Sequence, residues 1–275
     1  MELQWFEYLL YGLISGFTEL LPVSAVAHQA IFTKLVGGRD HDWIRLAVHI
    51  GVLTAILIAY APTFSRYRRE KRISKLPKGR RNRQPDFGTL MELRVLKTAA
   101  VFMLVLFLVY GLVHDLYERL WLLAIFVVIN GIILFLPQHL PSANKSAESM
   151  SGLDAMLIGL TAGLGVIPGI SRFGCGMAIA RIRGADRHYA ADLNLLLSLP
   201  AMVGLILIDL VFGVSADMTV TGLVVFGSIG TAVMAFAGAY LAIRLVRFMA
   251  YHAGFSAFAY YCWGFALFSL IIYLI

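Results

Sequence analysis

Six stretches of this chain are too long and too apolar to lie on the surface of a water-soluble protein: Trp43–Tyr60, Met91–Leu112, Glu118–Leu136, Tyr189–Phe212, Val220–Val246 and Phe255–Ile275. Each is near or above the length that a helix rising about 1.5 Å per residue needs to cross some 30 Å of hydrocarbon. Composition agrees: 60% of the 275 residues are hydrophobic and only 14% charged, whereas a soluble domain carries about a quarter charged residues. In lipid the backbone must bond to itself, so such runs fold as helices. The expected class is an all-α integral membrane protein. The opening segment, MELQWFEYLLYGLISGF, has Glu2 and Glu7 and no basic flank, so a cleaved signal peptide is not expected. Cys175 and Cys262 lie in apolar surroundings and suggest neither a disulfide framework nor a thiolate metal site.

Two further apolar regions, 2–35 and 152–180, are interrupted by Pro22 and by Pro168-Gly169. A break inside a span leaves backbone groups unpaired unless protein or a wet cavity surrounds it. Both regions therefore read as re-entrant helix–break–helix elements, with a kinked full span as the alternative. The basic residues test that arrangement. Ten of the 23 lie between Arg66 and Arg83, in a loop, 62–88, that the positive-inside rule puts in the cytoplasm. Six spans then bring Lys145, Arg181, Arg183, Arg187, Arg244 and Arg247 to the same side. The opposite loops, 114–117 and 213–219, hold no lysine or arginine. A broken element followed by three spans occurs twice, in 1–136 and 152–275. Three spans per half turn the second half upside down, and inverted repeats of this kind put a polar site where their broken helices meet.

The polar residues gather at those breaks. Glu19, at membrane depth, is either a structural acid bonded to backbone or a metal ligand or proton-transfer group. Ser24 and His28 follow Pro22 four residues apart and share a helix face. The serine reads as a helix cap or a nucleophile. The histidine reads as a proton-transfer group or a buried hydrogen-bonded ring. In the second break, GLGVIPGISRFGCG, the glycines, Gly169 and Gly174 among them, permit close approach of backbone amides to an anion. Arg172 offers a planar fork suited to phosphate, or an ion pair with Glu19. Ser171 reads as an anion donor or a turn cap. His49 lines the cavity or bonds between helices, and Asp192, Asn194 and Ser198 read as polar contacts between helices. Asp209 and Asp217 sit near a membrane boundary and need no special account. The stretch 227–239, GSIGTAVMAFAGA, reads as tight helix packing. No nucleotide-binding fingerprint is present, and the clustering of basic residues in one loop indicates topology and contact with anionic lipid, with nucleic acid not expected. The breaks together indicate an anion, a phosphate, held in an amphiphilic cavity.

ELLPVSAVAH (19–28), IPGISRFG (167–174) and LLLSLPAMVG (195–204) together resemble the undecaprenyl-diphosphate phosphatase family, the bacitracin-resistance phosphatases. The likeness covers essentially the whole chain. It implies a multi-pass enzyme of the bacterial cytoplasmic (inner) membrane whose site opens to the outer face. Such an enzyme removes one phosphate from undecaprenyl diphosphate, recycles the lipid carrier for peptidoglycan synthesis and protects against bacitracin. It also implies help from a divalent cation, Mg2+ or Ca2+, with Glu19 as its ligand. Glu19, Ser24, His28 and Arg172 match the family's catalytic positions, and Gly169, Ser171, Arg172 and Gly174 its second motif, with His49 added as a substrate contact. Five positions depart from the pattern. Ser15 stands where an acid or glutamine is usual, Ala25 replaces the second of two serines, Phe173 a serine, Ala162 a glutamine and Cys262 an arginine. The partner expected is a polyprenyl diphosphate, and a homodimer is compatible with such a chain. The alternative is a non-hydrolytic transporter or flippase of a polyprenyl phosphate or similar amphiphilic anion.

Overall fold

The structure is a computed structural model that describes residues 4–37, 42–113, 116, 119–139, 144–213, 222–252 and 255–274. Asp217 and nearly all of the loops expected on the outer side lie outside those residues. The described chain is helical, with no strand. Its helices run α1 (Trp5–Glu19), α2 (Ala25–Val36), α3 (Asp42–Ala59), α4 (Ala61–Lys75), α5 (Phe87–Phe107), α6 (Tyr110–Val113) and α7 (Leu120–Phe135), then α8 (Gly152–Gly163), α9 (Arg172–Ile182), α10 (Arg187–Ile208), α11 (Gly222–His252) and α12 (Ala257–Leu274). Among the described residues four helical stretches are long and apolar enough to cross a membrane, or five if the bent pair α3–α4 is taken as one. Their outward faces are apolar: Phe226, Ile229 and Val233 of α11 are 76%, 57% and 60% exposed. This is a multi-pass membrane protein with a lipid-facing surface.

Two expected boundaries move. The basic segment expected as a loop is helical over Ala61–Lys75 and bends 62° away from α3. Pro62 sits in its first turn, where a missing N–H costs nothing, and Arg72 and Lys75 in its last turn complement the helix dipole. Helix α5 stops at Phe107, short of the expected Leu112, and restarts for one turn as α6. Its first half carries Glu92, Arg94 and Lys97, so its apolar part begins near Thr98.

Both interrupted regions double back. Tyr11 of α1 and Phe32 of α2 meet edge to face with ring centroids 5.8 Å apart, whereas 21 residues of continuous helix would separate them by about 30 Å. Asp154 at the start of α8 likewise pairs with Arg183 just past the end of α9, Oδ1 to Nε 2.5 Å. Each region is a helical hairpin whose bend lies inside the protein. At 15 and 12 residues, α1 and α8 are about 22 and 18 Å long and do not reach across the hydrocarbon by themselves.

Small residues let the hairpins approach their neighbours backbone to backbone. A Cβ on Gly12 would lie 2.4 Å from the Thr231 carbonyl oxygen, and one on Gly16 2.2 Å from that of Ala235, so α1 is pressed onto α11. A Cβ on Gly159 would lie 2.1 Å from the Ala99 carbonyl oxygen, and α8 is pressed onto α5. The Gly/Ala-rich stretch of α11 is thus helix packing, as its sequence indicates. Between α10 and its neighbours, Asp192 accepts from the Tyr60 hydroxyl at 2.7 Å and from Arg247 at 3.2 Å.

Replacing Gly16 by valine is expected to cost about 1–3 kcal/mol from overpacking against backbone that cannot yield. Gly264→Ala, with no neighbour within 4 Å, should be silent; thermal unfolding in detergent followed by tryptophan fluorescence separates the two. Near the basic helix, bonding to Arg83 and to the Asp86 amide pulls the Glu70 carboxyl down to about 2. A depressed carboxyl stabilises above its unfolded value, about 4.3, and that contribution disappears as pH falls toward 2. Glu70→Gln should therefore speed tryptic cleavage at Arg80–Arg83 several-fold at pH 7.5, read by mass spectrometry.

Candidate active site

The two bends meet, and one side chain holds them. Asn130, completely buried in α7, donates from Nδ2 to the Pro22 carbonyl at 3.1 Å and accepts at Oδ1 from the Ser171 amide at 2.9 Å. The Ser171 hydroxyl donates to the Leu21 carbonyl at 3.0 Å. Both breaks end in a serine cap: Ser24 Oγ accepts from the Ala27 amide at 3.2 Å, and Ser171 Oγ from the Gly174 amide at 3.1 Å. Helices α2 and α9 therefore begin side by side with their positive ends inside the protein. Gly169 takes φ +93°, a left-handed conformation that a side chain would strain. A Cβ there would also meet Phe126 Cβ at 2.5 Å.

Beside this junction lies a cavity of about 340 Å3, within the range of small-molecule sites, about 300–1,000 Å3. Glu19, Ser24, Ser171, Arg172, Arg45 and His49 line it. It sits where α3 begins and α10 ends, so it occupies the end of the bundle away from α4 and Arg187.

Arg172, the first residue of α9, is 8% exposed. One of its terminal nitrogens lies 3.3 Å from the Glu19 carbonyl oxygen, 3.4 Å from Glu19 Oε1 and 3.5 Å from Ser198 Oγ. These are long for charge-assisted hydrogen bonds, which run about 2.7–2.9 Å. Gly165 makes room for it, since a Cβ there would lie 2.4 Å from Arg172 Cβ. The first residues of α2, Ala25 and Val26, also border the cavity, at the turn of a helix whose initial amides have no partner within the helix. A buried cation with unsaturated geometry beside a helix N-terminus is a site for an anion.

The expected residues divide. Glu19, Ser24, Ser171, Arg172 and His49 share the cavity. Gly169 and Gly174 lie behind it, against α7, where they shape the second break. His28 lies apart from the cavity: its Nδ1 bonds the Ser24 carbonyl at 2.6 Å and its Nε2 the Tyr261 hydroxyl at 2.7 Å. Its ring stacks on Phe265 at 4.0 Å. The Ser24 hydroxyl and the His28 ring, expected on one face, thus form no side-chain pair. Of the five departures only Ala25 borders the cavity. Ser15, Ala162, Phe173 and Cys262 are buried elsewhere, and Cys262 Sγ takes a bond from Asn130 at 3.3 Å.

Asn130, Gln29, Arg45 and Asp209 were not singled out from the sequence. Asn130 had a signal, an amide alone in the run 120–136. Asp209, which the sequence places near a membrane boundary, is 4% exposed, with Oδ2 2.5 Å from His49 Nδ1.

The family described as "Bacitracin resistance protein BacA" matches residues 8–268. The chain belongs to the BacA family. A protein named undecaprenyl-diphosphatase from Carboxydothermus hydrogenoformans is 30% identical over 264 residues, covering 94% of this chain and 93% of the relative. One of the same name from Halothermothrix orenii is 26% identical over 279 residues, with 97% of each chain covered. "Undecaprenyl-diphosphatase 3" from Bacillus cereus is 28% identical over 280 residues, with 98% of each covered. The matched residues span both breaks and Asn130.

Asn130→Leu keeps the branched shape and removes the clasp, leaving the Ser171 amide unpaired and the Pro22 carbonyl with only the weak 3.9 Å contact from Cys262 Sγ. At about 1–3 kcal/mol per buried orphan, it should lower the unfolding midpoint in detergent more than Gln138→Leu at the exposed end of the same segment.

Proposed function

We propose that this chain hydrolyses undecaprenyl diphosphate to the monophosphate and inorganic phosphate, returning the lipid carrier to cell-wall synthesis. The observation that carries the reading is Arg172, a buried guanidinium held, among the described residues, only by long contacts at a helix start, in a cavity whose wall includes the apolar Val23, Phe107, Leu205 and Ile208. A lipid diphosphate supplies both the oxygens that would complete its fork and the tail that suits the walls. The names of the relatives above favour hydrolysis over non-hydrolytic transport.

In this mechanism Arg172 and the first amides of α2 hold the terminal phosphate and compensate the charge of the transferring phosphoryl group. Ser24 donates its hydroxyl proton to that phosphate. Both ring nitrogens of His28 are bonded to groups other than the Ser24 hydroxyl, which leaves that serine without His28 as a base, and water is the attacking group in this reading. Ala25, at the position of the missing second serine, then costs a contact and not the nucleophile. His28 is a positioning residue that ties α2 to α12.

No group of three or more His, Cys, Asp or Glu side chains able to hold a metal occurs among the described residues. Glu19 would hold a divalent cation, Mg2+ or Ca2+, together with substrate oxygens, a mode that Mg2+ favours. When bound it would neutralise phosphate charge. Two further elements of the reading concern setting. With α4 in the cytoplasm of a bacterial inner membrane, touching anionic lipid, the cavity faces outward. The matched pairings of α1 with α11 and α8 with α5 support an inverted repeat with halves 1–136 and 152–275.

The test is release of phosphate from farnesyl and undecaprenyl diphosphate by purified protein, with Mg2+, Ca2+ or chelator. Arg172→Lys and Glu19→Gln should each lower kcat/KM at least 100-fold, while Ser24→Ala keeps activity within about tenfold. Binding without any release under all conditions would contradict the reading, and complete loss in Ser24→Ala would contradict water attack.

A further inference from the structure

The mechanism above lacks a group to take the proton of the attacking water. His28 does not border the cavity, and both its ring nitrogens are bonded. Among the described residues the cavity has one imidazole in its wall, His49 of α3. Its Nδ1 is 2.5 Å from Asp209 Oδ2, with the two side chains 10% and 5% exposed. A carboxylate can only accept, so Nδ1 carries the hydrogen and Nε2 is left with its lone pair. The carboxylate also fixes the plane of the ring. This is the arrangement by which a histidine base is oriented and its charged form stabilised after proton transfer.

The backbone supports the pairing. Asp209 begins a five-residue π-helical turn, Asp209–Gly213, that closes α10. Such widened turns cost regular hydrogen bonding and concentrate at functional sites. Here the turn sets a carboxylate, 160 positions from its partner in sequence, against the cavity wall beside Leu205 and Ile208.

We propose that His49 is the general base of this site and that Asp209 is its positioning residue. The inference rests on the hydrolytic reading given above. In the step, the water oxygen attacks the terminal phosphorus as the bond from that phosphorus to the bridging oxygen breaks. The electron pair of the broken bond leaves on the polyprenyl monophosphate. His49 Nε2 takes one water proton, so inorganic phosphate forms, and the imidazolium then returns the proton to a departing phosphate oxygen. Asp209 stays ionised throughout.

The experiment measures kcat and KM for farnesyl diphosphate from pH 5 to 9 with wild type, His49→Gln, Asp209→Asn, Asp209→Glu and His28→Gln. Binding of a methylene-bridged, uncleavable analogue by each variant is measured alongside. The other titratable or charged groups bordering the same cavity are Glu19, Arg45, Tyr110 and Arg172, and all are unchanged in these variants. His49→Gln should lower kcat about 10²–10⁴-fold, leave KM and analogue binding within threefold, and abolish the acid limb of the kcat profile. Asp209→Asn should lower kcat at least tenfold with KM unchanged, and Asp209→Glu should recover part of it. His28→Gln should keep the acid limb. Near-wild-type kcat with an intact limb in His49→Gln, or loss of the limb in His28→Gln instead, overturns the assignment. If His49→Gln does not fold, the split between kcat and KM in the near-isosteric Asp209→Asn decides, since equal loss of kcat and analogue binding there marks a structural pair. Absence of hydrolysis by the wild type fails the hydrolytic reading itself, which the variants do not touch.

Discussion

The carboxamide of Asn130 joins two pieces of chain that have no reason to be stable apart. Each interrupted hairpin brings into an apolar layer a proline and a turn of backbone whose polar groups have no helical partner. In lipid those groups cannot turn to water. Asn130 gives a donor to one break at Pro22 and an acceptor to the other at Ser171, and Ser171 adds a second tie to Leu21. With the breaks fixed, α2 and α9 start next to one another, and their capped ends and Arg172 become the polar floor of a cavity whose walls mix apolar side chains with Arg45, His49 and Asp209. The site is a consequence of satisfying the breaks.

Much of the fold could be read from the runs of apolar residues, because a helix in lipid is the answer to a single constraint. The two interruptions were legible for the same reason: a proline in such a run demands an account, and a hairpin inside protein is one. The boundaries that moved were those where charge enters a helix. Residues 61–75 look like a loop on hydropathy but are good helix formers with a proline at the start. Helix α5 begins in a charged segment that a hydropathy window trims away.

The site was legible where a residue is anomalous by itself. Glu19 and Arg172 are charges at membrane depth, and both border the cavity. Pairings were not legible, since sequence spacing says nothing of which helix faces which. Ser24 and His28, four apart, share a helix but turn to different neighbours: α2 is capped by the serine and leans on α12 through the histidine. His49 and Asp209 are far apart in sequence and meet at 2.5 Å. Ala25 marks the departure that matters to the cavity, while Cys262 has become part of the Asn130 clasp and Phe173 packs near Phe255.

The central claim, that the meeting of the two breaks is where a lipid diphosphate is held, is tested most directly by an experimental structure with a methylene-bridged polyprenyl diphosphate analogue. The terminal phosphonate should lie about 2.7–2.9 Å from the Arg172 guanidinium, against the first turn of α2, with the chain leaving between apolar helices. A head group seated elsewhere, for instance beside Arg181 and Arg187 at the opposite end of the bundle, with Arg172 still paired to Glu19, would contradict the account.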